Sequence, residues 1–281
     1  MQKEEILIEA LPYIQKYEGK TFVIKYGGAA MTEKILKENF AKDVTILRKI
    51  GINIVIVHGG GKEITDTASK LGIETKFING QRYTDEKMVE VVQMVLAGKI
   101  NKEIVNLINQ NDGNAVGVSG VDNQLLIAEK YLEDGIDLGL VGKITKVNTS
   151  FLELLIKNSM IPVIAPVGVD EHGTLYNINA DIAAGTIAST LKAEKLFYLS
   201  DIEGVQNNNQ LISTLTEQQA RELVSEKAIH SGMIPKIKSA FATLHSGVQK
   251  VHIIDGRIKH SLLLEIFTNS GVGTELVLNY D

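Results

Sequence analysis

Three residues far apart in the chain, Lys25, Asp181 and Lys236, carry charges suited to handling an anion, and glycine turns stand near the first of them. Lys25 opens the run Lys25-Tyr26-Gly27-Gly28, and a second run reads His58-Gly59-Gly60-Gly61. Each closes a β-branched apolar segment and precedes helical periodicity. Glycine lets the backbone approach a ligand closely, and N–H groups at a helix start favour an anion. A fixed ammonium beside such groups would clamp a transferring phosphoryl group; standing alone, Lys25 would read as a lysine snorkelling from a strand end. Lys236 follows Pro235, a residue suited to the first helical turn. A helix start disfavours a cation, so a lysine there is best explained by an anion between the two. Asn177-Ile178-Asn179-Ala180-Asp181 precedes an apolar helix reaching Leu191. Either Asn179 or Asp181 caps that helix, or Asp181 holds the two lysines while Asn177 touches a substrate; the spacing leaves both open.

The elements that must position these residues read as an α/β fold with a mainly parallel sheet. Strands are expected at Thr21–Ile24, Asn53–Val57, Ile161–Ile164, Leu196–Leu199 and Val251–Ile254, with helical spacing at Leu36, Phe40, Val44 and Leu47. A long helix follows Thr84-Asp85-Glu86, with Met88, Val91, Val92 and Val95 on one face. From Leu125 to Val147 the apolar runs are short and broken by Asp134-Gly135, which predicts antiparallel hairpins. No repeat or Pro/Ser-rich linker divides the chain.

Composition bounds the function. The 281 residues suffice for a large core, and 44% apolar with 22% charged residues is globular. A net charge of −5 argues against nucleic acid or an anionic membrane as the main partner. The absence of cysteine excludes disulfides, cysteine–zinc sites and thiol nucleophiles. The acidic N-terminus does not suit a targeting peptide, and no apolar run reaches spanning length, so a cytoplasmic location is expected. Neither GxxxxGK[ST] nor a GxGxxG opening the first helix is present, so any nucleotide is held by another architecture.

With these segments in view, the chain resembles the amino acid kinase family, and within it the branch that phosphorylates N-acetyl-L-glutamate. The resemblance rests on Val23-Ile24-Lys25-Tyr26-Gly27-Gly28, Val55-Ile56-Val57-His58-Gly59-Gly60-Gly61, Asn79-Gly80-Gln81-Arg82-Tyr83-Thr84-Asp85, Tyr176-Asn177-Ile178-Asn179-Ala180-Asp181, Leu199-Ser200-Asp201-Ile202-Glu203-Gly204-Val205 and Gly232-Met233-Ile234-Pro235-Lys236, in the family's order over nearly the whole length. It implies an open sheet of about eight strands sandwiched by helices, a lobe over 21–190 for acetylglutamate and a lobe over 191–281 for ATP. Lys25 and Lys236 would stabilise the phosphoryl group, with Asp181 organising both. Gly27, Gly28, Gly59 and Gly60 would donate N–H groups to the phosphoryl oxygens and the attacking carboxylate. Arg82 would grip the substrate's α-carboxylate, Asn177 would contact the same molecule, and Ser200, Asp201 and Met233 would meet the nucleotide. Mg²⁺ would arrive with ATP, with no protein metal site. Acetylaminoadipate or a carrier-linked analogue remains an alternative acceptor. A non-catalytic arginine sensor is a further alternative, though it would not need Lys25, Asp181 and Lys236 together.

A second region resembles the arginine-inhibited members of that branch. Ile6, Leu7, Ala10, Leu11 and Ile14 share one apolar face, predicting a helix within 1–20 that Pro12 should kink. In those members the equivalent helix links dimers into a hexamer, a trimer of dimers. His260 to Phe267 and Gly271-Val272-Gly273-Thr274 resemble their arginine-site signature, which implies that Glu265, with Gly271, His252 and Tyr13, binds L-arginine as an inhibitor. A PII-type regulator is left open.

Overall fold

The apolar runs become strands because a sheet covered by helices can bury them on both faces. A computed structural model describes residues 3–207, 210–226, 228–229 and 233–279. Met1 and Gln2 of the expected N-terminal helix, and Gly232 of the lysine motif, lie outside these residues. The central sheet contains β1 (Thr21–Tyr26), β2 (Asn53–His58), β3 (Ala115–Ser119), β4 (Ile161–Ala165), β5 (Lys195–Ser200), β6 (Thr214–Thr216), β7 (Lys250–Asp255) and β8 (Thr274–Val277). Their order is β6-β8-β7-β5-β1-β2-β4-β3. Neighbours are parallel except for β7 and β8.

Alternate residues feed two cores. Phe22, Ile24, Ile54, Ile56, Phe197 and Leu199 pack with the helix Lys34–Lys49 on one face. Val23, Val55, Val57, Leu196 and Tyr198 pack with the helices Ala180–Thr190 and Ile234–His245 on the other. Full burial of each such aliphatic side chain contributes roughly 1.5–3 kcal/mol. From β1 the chain reaches β2 on one side and later β5 on the other. The switch point, where open α/β sheets gather ligands, therefore lies at the carboxyl end of β1. Lys25, His58 and Ser200 stand there.

The region expected to be antiparallel is a hairpin of Leu126–Glu133 and Ile136–Val147. Asp134 (φ 48°) and Gly135 (φ 81°) both take the positive φ of a type I′ turn. Val167–Val169 and Leu175–Asn177 close it into a small barrel, which carries Asn177 to the rim of the switch point. The N-terminal helix runs as one element, Lys3–Tyr17, through Pro12. It lies against the helix Ser261–Phe267, with Tyr13 Oη donating to Asn269 Oδ1 at 2.6 Å. Ile8 and Leu11 remain 66% and 53% exposed; the side chains of Ile6 and Leu7 lie outside the described set. No helix among the described residues is long and apolar enough to cross a membrane.

Candidate active site

The helix Ala180–Thr190 is capped by Asn179, whose Oδ1 accepts from the Asp181 and Ile182 N–H groups. That resolves the alternative left open by the spacing: Asp181 is not the cap, and its carboxylate is available for other partners. Lys25 Nζ lies 3.0 Å from Asp181 Oδ1 and Lys236 Nζ 3.1 Å from Asp181 Oδ2. Gly185 permits this meeting. A Cβ at Gly185 would lie 2.6 Å from Thr243 Oγ1, so only glycine lets the helix bearing Asp181 press this close to the helix bearing Lys236.

Burial alone would raise the Asp181 carboxyl, but the charges of Lys25 and Lys236 and their hydrogen bonds outweigh it and hold the group below its ordinary value. The trio thus sets two lysine side chains around one carboxylate. Tyr198 supports it from below: its ring lies 5.3 Å from Lys236 Nζ, and its Oη donates to Asp181 O at 3.3 Å. A Cβ on Gly27 would sit 2.9 Å from Lys25 Nζ, which places the first glycine turn against this charge.

Next to the trio is a cleft of ≈ 230 Å³ lined by Gly59, Gly60, Arg82, Asn177 and Ala180 among others. Arg82 is 8% exposed. Its Nη2 donates to Gly61 O at 2.8 Å and Thr65 Oγ1 at 2.9 Å, and its guanidinium lies 4.8 Å from the Phe77 ring. Its Nη1 is buried with no hydrogen-bond partner among the described residues. A buried guanidinium nitrogen with an open donor fits an incoming carboxylate. Asn177, which lines the same cleft, donates from Nδ2 to Thr84 Oγ1 at 3.1 Å. One expectation needs correction: the Gly59 N–H already donates to Tyr26 O at 2.9 Å, so Gly59 lines the cleft without offering its own donor.

Ser200 and Asp201 close β5, one strand from Lys25, with Ser200 Oγ 3.4 Å from Asp201 Oδ1. Met233 is buried and begins the helix of Lys236. Among the described residues no group of three or more His, Asp or Glu could hold a metal.

Glu265, Gly271 and His252 of the second region also meet, while Tyr13 pairs with Asn269. Glu265 Oε2 accepts from the Val272 and Gly273 N–H groups at 2.7 and 3.0 Å, and Oε1 lies 2.7 Å from His252 Nδ1. Lys195 Nζ approaches His252 Nε2 at 3.0 Å, so that nitrogen accepts and Nδ1–H donates to Glu265. Gly271 takes φ 60°, and a Cβ there would lie 2.6 Å from Glu265 Oε2. Sequence reasoning missed Lys195, whose ammonium burial pushes down to about 8 and which lies 5.1 Å from the Tyr17 ring. The only signal was a lysine opening a fully apolar strand.

An open α/β sheet with two lysines fixed on one carboxylate at its switch point, beside an anion-seeking cleft, defines an enzyme that handles polyanionic groups. The chain belongs to the amino acid kinase family, whose model matches residues 20–255, as its motifs led one to expect. It is 57% identical over 272 residues to an acetylglutamate kinase of Chlorobaculum tepidum, covering 97% of this chain and 95% of that one. N-acetylglutamate synthase of Neisseria gonorrhoeae, solved with coenzyme A and N-acetyl-glutamate, superposes with a TM-score of 0.89 at 29% identity. The match takes in 100% of this chain but only 65% of the synthase. The same synthase with coenzyme A and L-arginine gives a TM-score of 0.85 at 28% identity, over 99% of this chain and 66% of that one. Carbamate kinase of Giardia lamblia shares the fold at 16% identity, with a TM-score of 0.65 over 93% of this chain and 99% of that one. The expected α/β class with its mainly parallel sheet is therefore borne out.

Proposed function

We propose that this enzyme transfers the γ-phosphoryl group of ATP to the side-chain carboxylate of N-acetyl-L-glutamate, giving N-acetylglutamyl 5-phosphate in arginine biosynthesis, in the cytoplasm. The observation that carries the reading is the Asp181 carboxylate shared by Lys25 and Lys236 at the edge of the Arg82 cleft. The name of the Chlorobaculum relative supports the acceptor. The acceptor enters the 21–190 lobe, its α-carboxylate on Arg82 and its amide against Asn177. ATP, with its Mg²⁺, lies over the 191–281 lobe along Ser200, Asp201 and Met233. Lys25 and Asp181 belong to the first lobe and Lys236 to the second, so the trio ties the two across the reacting groups.

The chemistry needs no general base. A carboxylate is already ionised and nucleophilic at neutral pH. The obstacle is bringing it against a polyphosphate, and catalysis consists of in-line positioning with neutralisation of charge on the transferring oxygens. Lys25, Lys236 and the N–H groups of Gly27, Gly28 and Gly60 serve that end. Hydroxylamine trapping tests the reading: hydroxamate should accumulate with ATP, Mg²⁺ and N-acetyl-L-glutamate. Hydroxamate only from acetylaminoadipate would transfer the assignment to the longer acceptor, and none from either would leave an arginine sensor.

We further propose that L-arginine inhibits at Glu265, Gly271, His252 and Tyr13, joined by Lys195. The Neisseria synthase solved with L-arginine supports this reading, as does a Glu265 that is buried among donors. The exposed Ile8 and Leu11 suit a second copy of the helix, consistent with a hexamer built as a trimer of dimers. A PII-type regulator belongs to the same proposal. Deleting residues 1–20 should abolish arginine inhibition and halve or further reduce the particle mass seen by light scattering while leaving turnover intact. Full inhibition in the truncated protein would overturn the proposal.

A further inference from the structure

We infer that His58 and Asn101 form a positioning pair that aims the Gly60 N–H of the cleft, an inference that rests on the phosphoryl-transfer reading above. His58 closes β2 and is 0% exposed. Both of its ring nitrogens are engaged. Asn101 Nδ2 lies 3.3 Å from His58 Nε2, and an amide nitrogen only donates, so Nε2 accepts and the ring proton sits on Nδ1. From there it donates to Gly59 O at 3.0 Å. The Asn101 amide is itself held in one orientation: Nδ2 also faces Val163 O at 2.8 Å and Val118 O at 3.3 Å, while Oδ1 accepts from Lys102 Nζ at 3.1 Å. Turned over, its oxygen would face the two carbonyl oxygens of Val118 and Val163. Burial, aided by the nearby Lys102 charge, pushes the imidazole down to about 4, so the ring is neutral at pH 7.

The consequence passes through the backbone. A peptide is planar and trans, so the carbonyl of Gly59 and the N–H of Gly60 point in opposite directions. Holding Gly59 O from one side therefore fixes where the Gly60 N–H is aimed. The same glycine is pressed by its neighbours: a Cβ at Gly60 would lie 2.3 Å from Ile100 Cδ1 and 2.7 Å from Leu96 Cδ2. Both belong to the π-helical segment Met94–Ile100, which delivers Asn101 directly after it. Wide turns of this kind recur at functional sites. With the Gly59 N–H already committed to Tyr26, the Gly60 donor is the one this pair can set. His58 itself touches no substrate.

Nitrogen-15 spectra of histidine-labelled wild-type protein should show His58 protonated at Nδ1 alone, unchanged between about pH 5 and 8. A proton on Nε2 would overturn the inference, whatever the protein's activity. Substitution supplies the functional arm. In His58→Asn the amide nitrogen takes roughly the place of Nδ1, whereas in His58→Gln it reaches the place of Nε2. Turnover in His58→Asn should stay within several-fold of wild type, and His58→Gln should lose on the order of tenfold or more in kcat. Asparagine leaves the larger void, so a merely structural role would damage the asparagine variant at least as much. Equal or reversed activities would therefore also overturn the inference. Wild-type protein with the expected tautomer but no hydroxamate would refute the phosphoryl-transfer reading and leave the pair standing.

Discussion

Lys25→Ala and Lys236→Ala should each lower kcat by about a hundredfold or more while leaving KM for the acceptor within a few-fold. The asymmetry follows from where the charge appears. In the proposed complex the acceptor is held by Arg82 and Asn177, which line the cleft, rather than by either lysine. The two lysines sit instead on Asp181, 3.0 and 3.1 Å away, where the proposed reaction places the transferring phosphoryl group. Interactions made more strongly in the transition state than in the ground state lower kcat when removed. The two losses should not add. Asp181 is shared, so removing one lysine leaves the other paired one-to-one with the carboxylate and free to shift; the double variant should lose less than the product of the singles. Initial rates of hydroxamate formation at saturating ATP provide the measurement. Near-normal kcat in either single variant, or a twentyfold rise in KM with kcat unchanged, would move that lysine from transition-state stabilisation to binding.

Much of the scaffold behind this trio was legible because burial on two faces leaves a strong mark. β1, β2, β4, β5 and β7 are built around apolar runs rich in β-branched or aromatic residues, and each lies within a residue or two of its expected position. The strands that escaped notice are those the physics marks weakly. β6 is Thr214–Thr216 at the sheet edge, β3 is Ala115–Ser119 with a glycine at its centre, and β8 is a four-residue strand running against its neighbour. All three are short, and β6 and β3 lie at the sheet edges, so they carry little periodicity. The helix after Asp85 shows the same limit in another form. Its start was plain, with Asp85 Oδ1 accepting from the Met88 N–H at 2.8 Å. Its division into Glu86–Gln93, a π-helical turn and Asn101–Asn109 was not, because a single wide turn shifts the register without changing residue types.

The site was legible in parts. Lysines beside glycines and a carboxylate at a helix start suggested anion chemistry, but only the sheet order explains how Lys25, Asp181 and Lys236 meet, and only Asn179 as the cap frees Asp181 to serve them. Arg82 had no local physical signal; its motif gave it away through resemblance, and the structure adds the buried Nη1 with no partner among the described residues. Tyr198 and Asn101 had none either. Each acts from beneath, through a ring face or a backbone carbonyl, and sequence carries no trace of which apolar strand residue or helix asparagine will end up below a reacting group. Lys195 was missed because a lysine beginning a strand is ordinarily a solvated one, whereas this one is 4% exposed.

Arg82→Met should separate acceptor binding from chemistry. Methionine approximates the length of the arginine stem without its charge, so Phe77 and Ile64 keep an apolar neighbour and the cleft should hold its shape. What disappears is a guanidinium whose one nitrogen is satisfied by Gly61 O and Thr65 Oγ1 and whose other, buried, has no partner among the described residues. A hydrogen bond to a charged group is worth about 1.5–3 kcal/mol, which converts to a rise of roughly ten- to over a hundredfold in KM for N-acetyl-L-glutamate. KM for ATP should be unmoved, because the proposed nucleotide site lies over the other lobe. Arg82→Lys should recover little, since an ammonium cannot hold Gly61, Thr65 and a carboxylate in the planar geometry the fork allows. The most informative substrate is the acceptor's α-amide, which lacks the α-carboxylate charge. If Arg82 binds that carboxylate, wild type should discriminate strongly against the amide and Arg82→Met only weakly. Equal discrimination by both proteins would mean that the open nitrogen of Arg82 answers to some other group, and that the acceptor lies in the cleft in a different orientation.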